Sequence, residues 1–429
     1  MPGFPAHFAR QDGSPFWFVG DTAWSLVTDN QNEKHDREAA FAYIDKRVSQ
    51  GFNVFHTMCI SEAGWGNSGG DAFDDLSQER INPAYWNEVD TRIRYANANG
   101  ATVGLVLAWA DKGRNPNSWR AFPSQEARVR YARYIAARYG AYDVYFIVAG
   151  EWNADTRRDL DLSDDQIRDQ YREIGRAVCK SDPHGRLVGI HPTFIGTTRE
   201  FASDDWCGFG DYQQMYPNLH GEILRSRVST KPVVNSEYAY YLRDQDEDGV
   251  CDKQNSASLD EIRHATWDIL MAGGYIITGF GSTYFGGHRH PGPFCLDDPA
   301  NADFEEQIQH AIRFFGGRKW WELEPADDRM GAHTPRGKDE ARTFTIRGKD
   351  RTQPSPPTVT YWALKSSESL IGYCRGLAEP LEIDLTGMDS SNARLFDPRT
   401  GEWKDLRPPG NTRYAFTPPD TQDWVVVID

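Results

Sequence analysis

Within VYFIVAGEWN, residues 144–153, the apolar run Val144–Ala149 leads through Gly150 into the carboxylate of Glu151. A short run without polar alternation is buried on both faces, as in a parallel sheet covered by helices. Within PVVNSEY, residues 232–238, the run Pro232–Ser236 likewise leads into Glu237. Outward from these two, Phe16–Val19, Phe52–Met58, Thr102–Trp109, Leu187–His191, Trp206–Tyr212 and Tyr275–Phe280 complete a set of eight. Amphipathic stretches lie between them, among them Glu38–Gln50, Glu126–Tyr139, Asp164–Lys180 and Leu259–Met271. Asp164 and Ser258 read as N-caps, and Glu261 completes a capping box with Ser258. Eight strands alternating with helices predict an α/β fold, a (β/α)8 TIM barrel. The rival, a doubly wound open sheet, wants a Gly-rich phosphate turn after its first strand, and none is there.

After Trp321 the helical period disappears. Short β-type runs follow at Arg342–Arg347, Thr358–Leu364, Leu370–Arg375, Leu381–Asp384, Ala393–Phe396 and Trp424–Ile428. Turn-rich segments such as Asp397–Gly401 separate them, and Gln353–Pro357 reads as a loop. The expected organisation is a catalytic barrel over residues 1–323 and a small C-terminal all-β sandwich over residues 324–429.

The composition narrows the partners. Of 429 residues, 47 are Lys or Arg and 63 are Asp or Glu, a formal charge of -16 that would repel nucleic acid. No apolar run is long enough to span a membrane. Fourteen Trp and 19 Tyr supply planar faces that suit sugar C–H surfaces, so the partner expected is a carbohydrate. Six Cys are too few for a disulfide scaffold: Cys59, Cys179, Cys207 and Cys374 read as small core residues, and Cys251 and Cys295 as a candidate pair. The first residues show no basic stretch followed by an apolar core, hence no signal peptide; the chain is cytoplasmic, or secreted with its leader removed. Oligomeric state is left open.

A parallel barrel carries its active site at the C-terminal strand ends. In order, those ends offer Asp21 and Trp24, His56, Trp109, Glu151 and Asn153, His191, Asp211 and Tyr212, Glu237 and Tyr238, and Tyr284. Glu151 and Glu237 stand out because strands four and seven face each other across the mouth. Two such carboxylates suit glycosidic-bond cleavage, one as proton donor and the other as ionised nucleophile, about 5–5.5 Å apart in retaining enzymes. A single strand-end Glu more often caps a helix or pairs with an Arg. The other polar and aromatic residues are candidate sugar binders, though Asp21 suits a local cap equally well and a lone strand-end His is often a core residue.

Asp244–Gly249, DQDEDG, matches the start of a calcium loop. Asp244, Asp246, Asp248, the carbonyl of Val250 and Asp252 are its candidate ligands; Asn255 stands at the twelfth position, where Glu is usual. A solvated acidic loop is the alternative reading. The chemistry itself needs no cofactor, and any Ca2+ would be structural.

PFWFVGDTAW, QGFNVFH, VYFIVAGEWN and PVVNSEY together resemble the DUF4038-type glycoside hydrolase barrel, which includes the apiosidases of glycoside hydrolase family 140. LFDPRTGEW and FTPPDTQDWVVVID are similar to the collagen-binding-type β domain appended to those barrels. The resemblance implies Glu151 as acid and Glu237 as nucleophile. Two departures bear on the sugar: these apiosidases use Asp as the acid, and related barrels place Asn where Gly150 stands. The expectation is a retaining glycoside hydrolase, exo-acting on a furanoside-like terminal sugar of a plant or microbial polysaccharide or glycoside. A non-catalytic carbohydrate- or matrix-binding protein and a polysaccharide lyase are the alternatives.

Overall fold

A computed structural model describes the chain except residues 2, 30–34, 62–63, 76–79, 111–116, 158–161, 194–195, 214–218, 228–230, 239, 242–257, 281–301, 332–340, 347–348, 355–358, 378, 390 and 411. Eight parallel strands form the barrel, with two short strands, Gly196–Thr197 and Tyr240–Tyr241, added to its sheet: β1 (Val19–Thr22), β2 (Val54–Met58), β3 (Thr102–Val106), β4 (Val144–Ile147), β5 (Val188–Gly189), β6 (Gly210–Gln213), β7 (Val233–Asn235) and β8 (Tyr275–Phe280). The eight run β5-β4-β3-β2-β1-β8-β7-β6. Gly20 is level with Val54, and Val19 with Ile276. The ring closes where Gly208 N–H donates to the Val188 carbonyl at 2.8 Å. This is the (β/α)8 barrel.

Helices α1 (Arg37–Ser49), α2 (Pro83–Ala98), α3 (Gln125–Tyr139), α4 (Asp164–Ser181), α5 (Leu219–Arg227), α6 (Leu259–Met271) and α7 (Ala302–Gly316) cover the outer face. Between β5 and β6 a single 3-10 turn, Arg199–Phe201, stands where a helix would. The Ser258–Glu261 capping box forms as the sequence predicts. At α4 the cap is Ser163, one residue before the expected Asp164. Its hydroxyl accepts from Gln166 N–H while the Gln166 side chain accepts from Ser163 N–H. Cys59, Cys207 and Cys374 are buried, but Cys179 is exposed, because it lies off the Ile167–Tyr171–Ile174–Val178 stripe of α4. Cys251 and Cys295 lie outside the described residues.

The second unit opens with β9 (Glu324–Pro325) and continues through β10 (Ala341–Ile346), β11 (Lys349–Pro354), β12 (Thr360–Lys365), β13 (Leu370–Arg375), β14 (Leu381–Asp384), β15 (Ala393–Phe396), β16 (Trp403–Asp405), β17 (Arg413–Phe416) and β18 (Trp424–Ile428). Gln353 and Pro354, read as loop from the sequence, close β11. Six strands make one antiparallel sheet, β9-β12-β13-β18-β15-β16, and β14 pairs with β17. Alternation along β13 and β18 divides their side chains. Leu370, Cys374, Val426 and Ile428 pack with Ile383 and Phe416, whereas Ile371, Tyr373, Val425 and Val427 join the barrel's own core.

Helix α6 makes that junction. Its Trp267 stacks on Tyr373 at 5.5 Å and 3°, and Phe314 of α7 meets Phe396 at 4.9 Å. Arg263 donates from Nε and Nη2 to Asp423 (2.8 and 2.7 Å). In the reverse sense, Asp268 accepts from both Arg375 Nη atoms (2.7 and 2.8 Å) and from Trp362 Nε1 (2.9 Å). Removing one partner strands the other as a buried, unpaired charge. Asp268→Ala is therefore expected to lower stability by about 3–5 kcal/mol, read by denaturant titration. The parent should melt in a single calorimetric transition, because barrel and sandwich share one core.

Candidate active site

Along a strand, alternate side chains face the barrel interior and the helices. On β6, Asp211 and Gln213 face inward, while the Tyr212 hydroxyl meets the Glu222 carbonyl at 3.2 Å and Ser226 on α5. Val234 is level with Asp211, so alternation sends Ser236 inward. Past β7 the chain turns, and Glu237 also faces inward beside His191, while the Tyr238 hydroxyl lies 2.7 Å from Thr266 of α6.

His191, just past β5, is the hub. Its Nδ1 is 2.8 Å from Ser236 Oγ, and its Nε2 is 3.2 Å from Glu237 Oε2. Ser236 Oγ in turn donates to Asp211 Oδ1 at 2.6 Å. Burial by itself would lower the His191 pKa; hydrogen bonds to, and the negative charge of, Asp211 and Glu237 outweigh it and lift the pKa to about 9. At neutral pH the ring is an imidazolium, donating to Ser236 on one side and to Glu237 on the other. The chain Asp211–Ser236–His191–Glu237 thereby fixes which way the Glu237 carboxylate points.

Glu151 approaches from the other side. Gln213 Nε2 donates to its Oε1 at 3.3 Å. Glu151 is the only described non-glycine residue with positive φ, at 47°, a left-handed backbone that costs on the order of 1–3 kcal/mol. Its neighbours enforce it: Trp152 N–H donates to the His191 carbonyl at 3.0 Å, and Gly150 is paired with Trp109. A Cβ on Gly150 would overlap the Trp109 ring, so only glycine fits there. Strain confined to one carboxylate at a strand end marks a functional position.

Aromatic rings line the space between. Trp24 meets Trp109 edge-on at 5.2 Å and lies 5.0 Å from the His56 ring; Trp109 is 5.7 Å from His191. His56 lies 6.0 Å from His191, and burial lowers its pKa well below the ordinary value, so it is neutral. Asn153 clamps the rim through its Oδ1, which accepts from Thr193 N–H at 2.7 Å.

The structure thus brings together Glu151, Glu237, His191, Asp211, His56, Trp24 and Trp109, with Asn153 beside them. Three expected members turn away. Tyr212 and Tyr238 face helices. Asp21 is wholly buried in an ion pair with Arg47 and a hydrogen bond from Tyr43, both on α1. The first strand is Val19–Thr22 rather than Phe16–Val19, so Asp21 sits within it, on the helix-facing side. Tyr284 and the loop Asp244–Asp252, Val250 included, lie outside the described residues. Gln213 and Ser236 were not among the residues picked from the sequence. Gln213 was accessible to it, being two residues from Asp211 and therefore on the same face. Ser236 was not, because its place beside Asp211 follows from the register of β7 against β6, in which Asp211 is level with Val234.

A barrel with two carboxylates at the ends of strands four and seven, beside Trp24 and Trp109, has the form of a glycoside hydrolase. Residues 6–320 match the model of the apiosidase-like catalytic domain, and the chain belongs to that family. Among solved structures it is similar to a glycoside hydrolase family 5 protein from Bacteroides vulgatus (17% identity, TM-score 0.75, covering 99% of this chain and 91% of that one). It is also similar to another glycoside hydrolase (16%, TM-score 0.73, 99% and 95%). An endo-1,4-β-mannanase from Rhizomucor miehei shares the barrel more distantly (15%, TM-score 0.51, 73% and 98%). At these identities the likeness is one of fold. No curated protein matches the chain. No described helix is long and apolar enough to cross a membrane.

The His191 pKa gives a pH signature. Its folded value, about 9, lies above the ordinary 6.5. The stabilisation it contributes is complete below pH 6.5 and is lost as pH rises through 9. Thermal melts should show the parent losing stability across that window, by a few kcal/mol, and His191→Gln losing much less. Parallel pH profiles for the two proteins would remove the imidazolium from this account.

Proposed function

We propose that the chain is a retaining, exo-acting glycosidase that releases a furanoside-like terminal sugar from a plant or microbial polysaccharide or glycoside. The observation that carries it is the separate anchoring of two inward carboxylates. Glu237 is oriented by a cationic donor, and Glu151 by a neutral amide on a strained backbone. In the first step Glu151 gives its proton to the glycosidic oxygen. As that bond breaks, a Glu237 oxygen bonds to the anomeric carbon, forming a glycosyl ester. In the second step Glu151 takes a proton from water, whose oxygen displaces Glu237 from the opposite face. Two inversions give net retention. His191 occupies Oε2 of Glu237, directing the other oxygen toward the sugar.

Depth supports exo action. Glu151 and Glu237 are 9% and 8% exposed, and Trp24 and Trp109 are almost completely buried, which suits one terminal residue better than a threaded polymer. Membership of the apiosidase-like family supports a compact furanose, and the Trp109–Gly150 packing narrows the subsite further. The lyase alternative loses one candidate base, because Tyr238 is engaged with Thr266.

Glu237→Gln is expected to abolish turnover on aryl furanosides while leaving the melting temperature within a few degrees, since an amide cannot form the ester. More than a few per cent residual activity would exclude Glu237 as nucleophile. Glu151→Ala should spare activated aryl glycosides and lose about 10²–10⁴-fold on poor leaving groups. Added azide should then restore turnover and yield a glycosyl azide of retained configuration, identified by NMR; inverted product would overturn retention.

A further inference from the structure

A cleft of about 520 Å³ opens far from the mouth, where α7 ends against the β domain. Helices of a barrel run opposite to its strands, so the end of α7 lies at the strands' N-terminal side. Consistent with this, Gly316 abuts Trp17, just ahead of β1. One wall is Trp403 on the edge strand β16, one of two large hydrophobic side chains exposed among the described residues, at 39%.

The indole is held rigidly. Phe314 stacks parallel to it at 5.7 Å and 9°, and the guanidinium groups of Arg394 and Arg318 lie 4.7 and 5.3 Å from its centroid. Around it are three cations, Arg318, Lys319 and Arg394, and three carboxylates, Glu322, Glu368 and Asp429. Ser366 and Ser369 add hydroxyls. Several pairs are already made: Lys319–Glu368 at 3.2 Å and Arg394–Asp429 at 3.3 Å.

That lining selects among ligand classes. The charges cancel, which disfavours a phosphate or polyanion, and the charged rim disfavours a lipid or an apolar peptide. Donors and acceptors of both signs gathered around a preset aromatic ring match the hydroxyls and C–H faces of a saccharide. Because the indole is already fixed, little side-chain entropy is lost on binding. The geometry points to a second, non-catalytic site for a neutral oligosaccharide, formed jointly by the barrel and the β domain. It would hold another part of the polymer whose terminal sugar the mouth removes. The inference rests on the carbohydrate reading above only for the choice of polymer.

The test uses the full chain carrying Glu237→Gln, in affinity electrophoresis through gels containing arabinan, xyloglucan, galactomannan or polygalacturonate. At least one neutral polymer should retard it, and adding Trp403→Ala should weaken that retardation at least tenfold in apparent affinity. Glu368→Lys, a substitution at an exposed position, should weaken it at least threefold and guards against a folding defect in the Trp403 variant. With Glu237 intact, both variants should keep kcat/KM on small aryl glycosides within twofold of the parent. Retardation by no polymer, retardation by polygalacturonate alone, or equal retardation with and without the two substitutions would each overturn the site. Loss of aryl glycoside hydrolysis in the parent would instead overturn the catalytic reading.

Discussion

Period-two alternation along the barrel strands is the constraint on which the site depends. A parallel strand in a closed barrel has no solvent face: every other side chain enters the barrel, and the rest are claimed by helices. Asp211, Gln213 and Ser236 therefore work together although Tyr212 stands between the first two, whereas Glu237 leaves the alternation, because the chain turns after β7 and brings it to His191 as well. The helices take the outward polar groups as seriously as the mouth takes the inward ones. Asp21 pairs with Arg47, Tyr212 with α5 and Tyr238 with α6, so these three outward polar groups tie strand ends to helices.

Placing charge inside the barrel brings a second requirement. An imidazolium excluded from water is tolerable only beside anions, and His191 has two, Asp211 at 3.4 Å and also through Ser236, and Glu237 at 3.2 Å. The arrangement needs three strands, β5, β6 and β7, in fixed register. It converts the sheet's hydrogen bonding into an orientation for one carboxylate. Glu151 is positioned differently, on a left-handed backbone directly after the Gly150 that pairs with Trp109.

Much of this was legible in residue order. Apolar runs leading into Glu151 and Glu237 located both carboxylates, and spacing located the barrel and the sandwich strands. What was less legible followed from offsets of a few residues. Reading β1 as Phe16–Val19 put Asp21 beyond the strand, where a sugar contact was reasonable; the true strand includes it and turns it outward. Tyr212 and Tyr238 were chosen for chemical type at strand ends. Tyr212 follows an inward Asp211 and so faces the helices by parity, whereas Tyr238 shares the parity of Val234 and Ser236 and is taken from the mouth by the turn after β7. Long-range pairing was hidden altogether. Arg263 and Asp423 are 160 positions apart, and neither has a local feature announcing the other.

Helix α6 has one further consequence. In residue order, barrel and β domain look like separable modules joined near position 323. In energetic terms α6 belongs to both, contributing Trp267, Arg263 and Asp268 to a face that the sandwich completes. A recombination event cutting at the apparent boundary would deliver a barrel with an apolar wall and two stranded charges. Lineages that exchange the appended domain must carry a matching α6 with it, so the heritable unit is larger than the domain.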